Sequence, residues 1–251
     1  MDKNGSIRAS LGPAPPVFPP AGPVPPLGLL LLDTAFPRPP GDLGRPDSWP
    51  RPVLTHVVPG AWPARVVQSA QGLRGEGLAQ AFADGARSLQ ERGAAAITTS
   101  CGFLVLLQRE LQAAVSVSLV TSSLLLLPDL LREEREVGVL TIASDRLGPE
   151  HLAAAGVPPE RLDDVLVQGM PPDGPFSSAI LNNRPGMDLA AAGEDVVNAA
   201  RALRKRAPGL RTLVLECTNM PPYRADIESA TGLRVLSLTE VLELRAPPPR
   251  Q

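Results

Sequence analysis

The chain contains two cysteines, Cys101 and Cys217, and each follows a predicted β-strand at its exit. In "ITTSCGF" an apolar run ends in hydroxyl residues before the first cysteine, and in "LVLECTNMPPY" a second apolar run precedes the other. A helix-like stretch begins directly after each cysteine. Free N–H groups and the positive end of a helix dipole stabilise anions at such a position. We therefore predict that both thiols have a lowered pKa and are partly ionised near neutral pH.

The two cysteines are separated by nearly half the chain, which fits one thiol from each of two similar lobes facing across a cleft. In parallel α/β sheets the carboxyl ends of the strands line the ligand crevice. Two other interpretations stay open at this point. A lone cysteine is commonly a buried, inert hydrophobic residue, and a pair could be redox-active, although no C-x-x-C motif supports this. His56 and His151 lie on unrelated segments, so no metal site is predicted.

Composition argues against several classes of function. Hydrophobic residues make up 43% and charged residues 20% of the 251 residues, as in ordinary globular proteins. A net charge of −2 and an aromatic content of 3% argue against nucleic-acid binding. The longest apolar runs, Leu27–Leu32 and Leu124–Leu127, are far shorter than a membrane span, and the N-terminus does not resemble a secretory signal. We expect a cytoplasmic protein with no nucleic-acid or membrane partner and no structural disulfide.

The pattern along the chain predicts an α/β fold of two similar Rossmann-like lobes, with mostly parallel sheets and the active site in the cleft between them. Residues 1–26 are rich in proline and predict a disordered tail. Residues 27–120 together with 232–251 are assigned to the lobe of the first cysteine, and residues 121–231 to the lobe of the second. Strands are predicted at Leu27–Leu32, Val53–Val58, Ala94–Thr99, Val115–Val120, Val137–Ile142, Val165–Gln168, Thr212–Leu215 and around Val235. Helices are predicted at Gly72–Arg92, from Cys101 to about Ala113, after a cap at Ser122 or Ser123, at Pro149–Ala155, from Asp188 to Arg206, from Pro221 to Ala230 and at Leu238–Leu244.

Together with the opening "LLLLDTAFPRPPGD", the two cysteine segments resemble the aspartate/glutamate racemase superfamily over roughly residues 27–245. This cofactor-independent superfamily includes hydantoin racemases, maleate isomerases and arylmalonate decarboxylases. In its racemases one thiolate removes the proton from the α-carbon, and the other thiol returns a proton from the opposite face. The resemblance therefore implies that Cys101 and Cys217 are catalytic, each as the base for one enantiomer, with no cofactor and no metal.

The resemblance also implies which groups contact the substrate. Donors aimed at the substrate carboxylate stabilise the charge that builds up in an enolate-like transition state. The predicted substrate-binding residues, which flank the cysteines or follow predicted strands, are Asp33, Thr34, Ser100, Gly102, Phe103, Thr121, Thr218 and Asn219. From its charge alone, Arg38 is expected to pair with a second carboxylate. Two positions depart from the family: Gly102-Phe103 stands where many racemases have Asn-Thr, and Asn219 stands where glutamate racemases have histidine.

We expect a racemase or epimerase of a small α-amino acid or related carboxylate, with aspartate or glutamate as the leading substrate and two-base proton transfer between the cysteines. Retention of both cysteines favours racemisation over decarboxylation. The alternatives are a maleate-isomerase-like or decarboxylase enzyme that uses one cysteine, and a non-catalytic sensor of a small acid. The expected partner is a small-molecule carboxylate substrate, and a homodimer is left open.

Overall fold

The computed structural model describes residues 24–245, which form two four-stranded sheets surrounded by helices. The strands are β1 (Leu27–Leu32), β2 (Val53–Val58), β3 (Ala96–Thr99), β4 (Ser118–Val120), β5 (Val137–Thr141), β6 (Val165–Gly169), β7 (Thr212–Leu215) and β8 (Arg234–Leu236). All of their pairings are parallel. The order is β2-β1-β3-β4 in the first sheet and β6-β5-β7-β8 in the second, so the second sheet repeats the topology of the first. The predicted α/β fold of two similar lobes is confirmed.

The inner strands are buried on both faces, which explains why their sequences are continuous apolar runs rather than alternating ones. Every residue of β5 and of β7 is buried, and β1 has one residue that is only partly covered. The bounds of β1, β2 and β7 agree with the sequence prediction. In contrast, β3 and β4 begin later than predicted, because Ala94 and Val115 lie in the turns that lead into these strands.

Ten α-helices connect the strands within the described residues. They are α1 (Pro63–Val66), α2 (Ala70–Gly75), α3 (Leu78–Glu91), α4 (Gln108–Ala113), α5 (Leu127–Glu133), α6 (Pro149–Ala154), α7 (Pro175–Leu181), α8 (Leu189–Arg206), α9 (Arg224–Thr231) and α10 (Leu238–Arg245). Short 3₁₀ helices precede several of them, among others at Gly102–Leu107, Ser123–Leu126 and Pro221–Tyr223. The sequence prediction missed α1 and α7, whose first residue is a proline that suits the first turn of a helix.

The predicted helix Gly72–Arg92 is two helices, α2 and α3, and the prediction of one continuous helix is wrong. Gly77 lies between them with φ of 68°, in the left-handed region that glycine adopts at no steric cost. This residue turns the chain, so that α3 packs against β1 and β2 while α2 contacts α1. A glycine inside a helical pattern therefore ended one helix and began the next.

The last part of the chain contacts both lobes. The strand β8 pairs with β7 at the edge of the second sheet, so the assignment of residues 232–251 to the first lobe is wrong for this strand. Its parallel register with β7 extends the second sheet to four strands. The helix α10 then returns to the first lobe, where it packs against β4 and the 3₁₀ helix Ser123–Leu126.

Residues 1–23, which include most of the predicted proline-rich tail, lie outside the described residues. Residues 24–26 precede β1, and the carbonyl of Pro26 accepts a hydrogen bond from the Ala95 amide. Across residues 24–245, none of the helices combines the length and apolar character that a transmembrane segment requires.

Candidate active site

The two cysteines lie at equivalent points of the two sheets. Ser100 and Cys101 follow β3, and the Ser100 amide donates to the carbonyl of Leu30 in β1. In the same way Glu216 and Cys217 follow β7, and the Glu216 amide donates to the carbonyl of Leu140 in β5. Each thiol therefore lies at the carboxyl end of a central parallel strand, where α/β folds bind ligands.

Both cysteines line one enclosed cavity between the lobes, which we call the thiol cavity. Seven predicted site residues lie in its wall: Ser100, Cys101, Gly102, Phe103, Cys217, Thr218 and Asn219. The remaining wall is mainly apolar, with Leu32, Phe36, Ile142 and Ile180 among its residues, and it includes the ionisable side chains Arg38 and Glu216. The cavity volume is about 20 Å³, little more than one water molecule requires. A substrate therefore enters only when the lobes or the wall side chains move apart.

A chain of hydrogen bonds leads from the second thiol to Arg38. Cys217 Sγ donates to Asn219 Oδ1 at 3.4 Å, and Asn219 Nδ2 donates to Asp42 Oδ2 at 2.8 Å. The other oxygen of Asp42 accepts from Arg38 Nη1 at 2.8 Å. Asn219 thus orients the Cys217 thiol, and Asp42 fixes the guanidinium of Arg38 at the cavity.

The groups around the Cys101 thiol have opposite effects on its pKa. Burial raises the pKa of the Cys101 thiol to about 12, and the nearby Glu216 carboxyl adds to this rise. The backbone N–H groups of Phe103 and Leu104 and the charge of Arg38 lower the pKa, but by less. The predicted lowering of the thiol pKa is therefore wrong in this closed state, because burial outweighs the amide donors at the helix start.

The pKa of Cys217 is also raised well above its ordinary value, first by burial and next by Glu216. Asp42 raises it slightly further, whereas the amide of Asn219 lowers it. Both thiols are therefore protonated near neutral pH in the closed cavity, and a thiolate forms only when a positive charge or water enters.

Sequence reasoning did not single out Glu216, which is only 1% exposed. Its Oε2 accepts a hydrogen bond from Thr141 Oγ1 at 2.8 Å, while its Oε1 is buried and has no partner among residues 24–245. Burial raises the pKa of the Glu216 carboxyl to about 8. The signal was present in "VLECT", where an acidic residue ends a fully apolar strand directly before a cysteine. Acidic residues are rarely fully buried, and those that are often lie at functional sites.

Three predicted substrate-binding residues are not part of the cavity wall. The Asp33 carboxylate accepts from the Gly60 amide, and Thr34 Oγ1 accepts from Arg38 Nη2 at 3.2 Å. The Thr121 hydroxyl donates to Gln108 Oε1 at 2.7 Å. In this closed state the Thr34 hydroxyl accepts a hydrogen bond that positions the Arg38 guanidinium. The Thr121 hydroxyl makes its hydrogen bond at the end of the first sheet.

Ser100 and Thr218 connect the two lobes beside the thiols. Thr218 Oγ1 donates to the Ser100 carbonyl at 2.6 Å, and Ser100 Oγ accepts from the Leu32 amide at 3.0 Å. The Thr218 carbonyl also accepts from the amide of Leu43. The hydroxyl proton of Thr218 is used in this contact, so Ser100 is the better candidate to donate to a substrate carboxylate.

Comparison with known proteins identifies the family. No protein-family model matches the chain. It is 33% identical over 216 residues to a dimethylsulfoniopropionate lyase of Durusdinium sp. clade D, an alignment that covers 83% of this chain and 70% of the relative. The chain belongs to the dimethylsulfoniopropionate lyase family. It is also 30% identical over 223 residues to dimethylsulfoniopropionate lyase 3 of Emiliania huxleyi, covering 84% of this chain but only 56% of that longer relative.

Solved structures agree on the fold. Unliganded arylmalonate decarboxylase superposes with a TM-score of 0.53 at 16% identity, over 90% of this chain and 94% of the other. An aspartate racemase homologue from Pyrococcus horikoshii OT3 superposes with a TM-score of 0.54 at 14% identity, over 89% of this chain and 100% of the other. The family therefore has the fold of the aspartate/glutamate racemase superfamily, and the resemblance seen in the sequence is confirmed. The comparisons support an enzyme, and its relatives by sequence are lyases rather than racemases.

Proposed function

We propose that this chain is a lyase that removes the proton α to a carboxylate and expels a substituent from the β-carbon, with dimethylsulfoniopropionate as its substrate. The observation that carries the proposal is the composition of the thiol cavity. Two thiols, the guanidinium of Arg38 and the carboxyl of Glu216, whose Oε1 has no hydrogen-bond partner among the described residues, share one small space. The 33% identity to a protein of that activity supports this choice of reaction and substrate.

Arg38 provides the carboxylate site. Its guanidinium lines the cavity, is held by Asp42 and Thr34, and lies over the ring of Phe36 at 4.6 Å from the centroid. A guanidinium has five N–H donors, so donors remain for a substrate carboxylate. Negative charge builds up on that carboxylate when the α-proton leaves, and a fixed cation beside it lowers the barrier.

The elimination is balanced without a cofactor. A cysteine thiolate takes the α-proton, the C–H electron pair forms the double bond between the α- and β-carbons, and the β-carbon–sulfur bond breaks. Sulfur leaves with the electron pair of the broken carbon–sulfur bond as neutral dimethyl sulfide, and acrylate remains. The protonated thiol then returns its proton to water, which restores the enzyme.

Cys101 is the better candidate for the base. Arg38 and two backbone amides favour its thiolate, whereas Cys217 has one such amide and lies under the influence of the Asp42 carboxylate. The raised pKa of the thiols also explains why a cationic substrate suits the site. A sulfonium ion near a buried thiol favours the thiolate, so the base becomes active when the substrate is bound.

A second candidate is the racemase or epimerase expected from the sequence, acting on an amino acid or related carboxylate. It is favoured by one feature, the contribution of one thiol from each lobe to the same cavity. Inversion needs an acid and a base on opposite faces of the α-carbon. Elimination needs only one of the two thiols to act as a base.

The test supplies the full-length chain with dimethylsulfoniopropionate and measures acrylate and dimethyl sulfide, with the Cys101→Ala variant as the control. Equal amounts of both products, lost in the variant, are the expected result. In parallel, amino acids and dicarboxylates are incubated in heavy water and examined for deuterium at the α-carbon. Deuterium uptake without acrylate formation would indicate a racemase rather than a lyase. Ligand binding without either reaction would indicate a sensor.

A further inference from the structure

Glu216 has an unusual environment for a buried carboxyl group. One oxygen is held by Thr141, and the other is buried at the thiol cavity, where the described part of the chain offers it no hydrogen-bond donor. The residue at the equivalent point of the first lobe is Ser100, whose backbone amide makes the corresponding bond to a central strand. The two lobes therefore differ at this position, with a hydroxyl on one side and a carboxyl on the other.

Gly102 makes room for this carboxyl group. A side chain at position 102 would place its Cβ in overlap with Glu216 Oε1 and with the Glu216 carbonyl oxygen. The absence of a side chain at position 102 therefore allows the Glu216 carboxyl to pack there, across the lobe interface. The departure from Asn at position 102, noted in the sequence, is explained by this contact.

The charges around Glu216 leave it without a counter-ion. The titratable side chains that face the cavity are Cys101, Cys217 and Arg38, and the guanidinium of Arg38 is already paired with Asp42 at 2.8 Å. Both thiols are neutral in the closed state, because burial and Glu216 raise their pKa. An ionised Glu216 thus needs a positive charge that the cavity wall does not supply.

We propose that Glu216 is the specificity residue of the site, and that its free oxygen binds the cationic group of a zwitterionic substrate whose carboxylate contacts Arg38. The proposal rests on the proposed function and extends it from the reaction to the class of substrate. A sulfonium or a quaternary ammonium fits this requirement, because each places a permanent positive charge beside the oxygen. A dianionic substrate does not fit.

If Glu216 had a purely structural role, replacing its carboxyl should lower the stability of the fold. A role in substrate binding predicts no such loss. An unpaired buried carboxyl costs free energy of folding when it ionises, so a neutral amide of equal size should be tolerated or preferred. Because the pKa of Glu216 is raised to about 8, the group is largely protonated at pH 7 in the free protein. Binding of a cation should then ionise it and release a proton to the buffer.

The experiment compares two ligands of the same shape and different charge. These are 3-(trimethylammonio)propionate, whose amine is a poor leaving group, and 4,4-dimethylpentanoate, in which carbon replaces the nitrogen. Titration calorimetry of the wild-type chain should give at least about 10-fold tighter binding of the cationic ligand. Glu216→Gln should reduce this ratio to about one, without lowering the unfolding temperature. Calorimetry in buffers of different ionisation enthalpy should detect proton release at pH 7 in the wild type but not in this variant.

The matched control is Glu134→Gln in the same lobe. Glu134 is also a buried glutamate with one oxygen lacking a hydrogen bond, but it lies at the amino ends of β7 and β8, where it contacts Thr212 and Arg234. This variant should keep the wild-type binding ratio. If Glu216→Gln does not fold, Gly102→Ala gives a second test, because its Cβ should displace the Glu216 carboxyl and reduce the ratio.

An unchanged ratio in Glu216→Gln, or a wild type with no preference for the cation, overturns the role of Glu216. Absence of binding by both ligands overturns it as well. These outcomes are distinct from failure of the lyase proposal, since the ligands are not turned over. If acrylate forms but the binding ratio is unchanged in Glu216→Gln, only the role of Glu216 is rejected. If the wild type prefers the cationic ligand but forms no acrylate, only the elimination reaction is rejected.

Discussion

At the scale of single residues, the ionisation of the two thiols is set by burial. Burial raises the pKa of Cys101 to about 12, so about one molecule in 10⁴ carries its thiolate at pH 8. We expect iodoacetamide to alkylate Cys101 and Cys217 far more slowly than a free cysteine at this pH, as measured by mass spectrometry of the intact protein. The rate should increase with pH, because only the thiolate reacts.

Guanidinium-unfolded protein is the control for this measurement, and both cysteines should then react at the ordinary rate. Addition of 3-(trimethylammonio)propionate tests the electrostatics separately, since a bound cation favours the thiolate but also covers it. Rapid alkylation of the folded, ligand-free protein at pH 7 would contradict the assignment of both thiols as protonated.

Replacement of single cysteines distinguishes the two reactions. For elimination, Cys101→Ala should lower kcat by about 10² to 10⁴-fold, the usual contribution of a general base. Cys217→Ala should have a smaller effect, because the second thiol transfers no proton in this reaction. Steady-state kinetics of acrylate formation give both values. Equal losses from the two variants would instead favour a mechanism in which both thiols exchange protons with the substrate.

Gly102 is expected to tolerate no side chain. Gly102→Ala should lower the free energy of unfolding by about 1 to 3 kcal/mol, because its Cβ overlaps Glu216. Gly75→Ala is the matched control, since a Cβ at that helical position meets no atom within 4 Å. It should leave stability unchanged or raise it by up to about 1 kcal/mol. Chemical denaturation of the two variants checks this, and equal midpoints would contradict the contact.

The sequence identified the two cysteines and the residues beside them in the chain that line the cavity, because these residues follow recognisable strands. Glu216 was missed because one acidic residue between an apolar strand and a cysteine, although visible in the sequence, is not part of a recognised motif. The direction of the thiol pKa was also wrong, since local position indicates amide donors but not the burial created by the opposite lobe. Ionisation depends on contacts between residues far apart in the chain, and these become visible only in the fold.

At the scale of secondary structure elements, α8 depends on the capping residue that precedes it, Asp188. Asp188 Oδ1 accepts from the amides of Ala190 and Ala191 at 3.1 Å each, which satisfies two donors that have no partner within the helix. Asp188→Ala should therefore lower the free energy of unfolding by about 1 kcal/mol. Asp188→Asn keeps the acceptor and should lose less. Urea denaturation followed by circular dichroism checks both, and identical curves would contradict the cap.

Strands were easier to predict than helices in this chain. The central strands are short, mainly apolar segments rich in Leu and Val, the pattern expected of a parallel sheet that is buried on both faces. Helices that begin with Pro63 or Pro175 were hidden, because proline marks both a break and a first turn. The stretch after Cys101 was predicted as one helix, but its first part is a 3₁₀ helix at Gly102–Leu107.

At the scale of the whole molecule, Asn183 connects the second lobe to the loop that follows β1. Its Oδ1 accepts from the Ala35 amide at 2.6 Å, and its Nδ2 donates to the Asp33 carbonyl at 3.3 Å. This loop continues to Phe36 and Arg38, which line the thiol cavity. Asn183→Gly should raise KM up to about 10-fold, because two hydrogen bonds that order the closed loop are lost.

A second variant separates this contact from the backbone conformation. Asn183 has φ of 50°, which glycine adopts readily and alanine does not. Asn183→Ala should therefore be less stable than Asn183→Gly by about 1 to 2 kcal/mol while raising KM to the same extent. Thermal unfolding and steady-state kinetics on the same samples give the two quantities. A KM that follows stability rather than the hydrogen bonds would contradict a role in closure.

The return of α10 to the first lobe has a consequence for biosynthesis. Leu238 and Val241 of this helix are buried, and the helix covers β4 and the leucine-rich 3₁₀ helix Ser123–Leu126. During translation the first lobe emerges from the ribosome long before the residues that complete its core. Its apolar surface at β4 stays uncovered until α10 emerges from the ribosome, so this lobe reaches its final packing only after synthesis of the second.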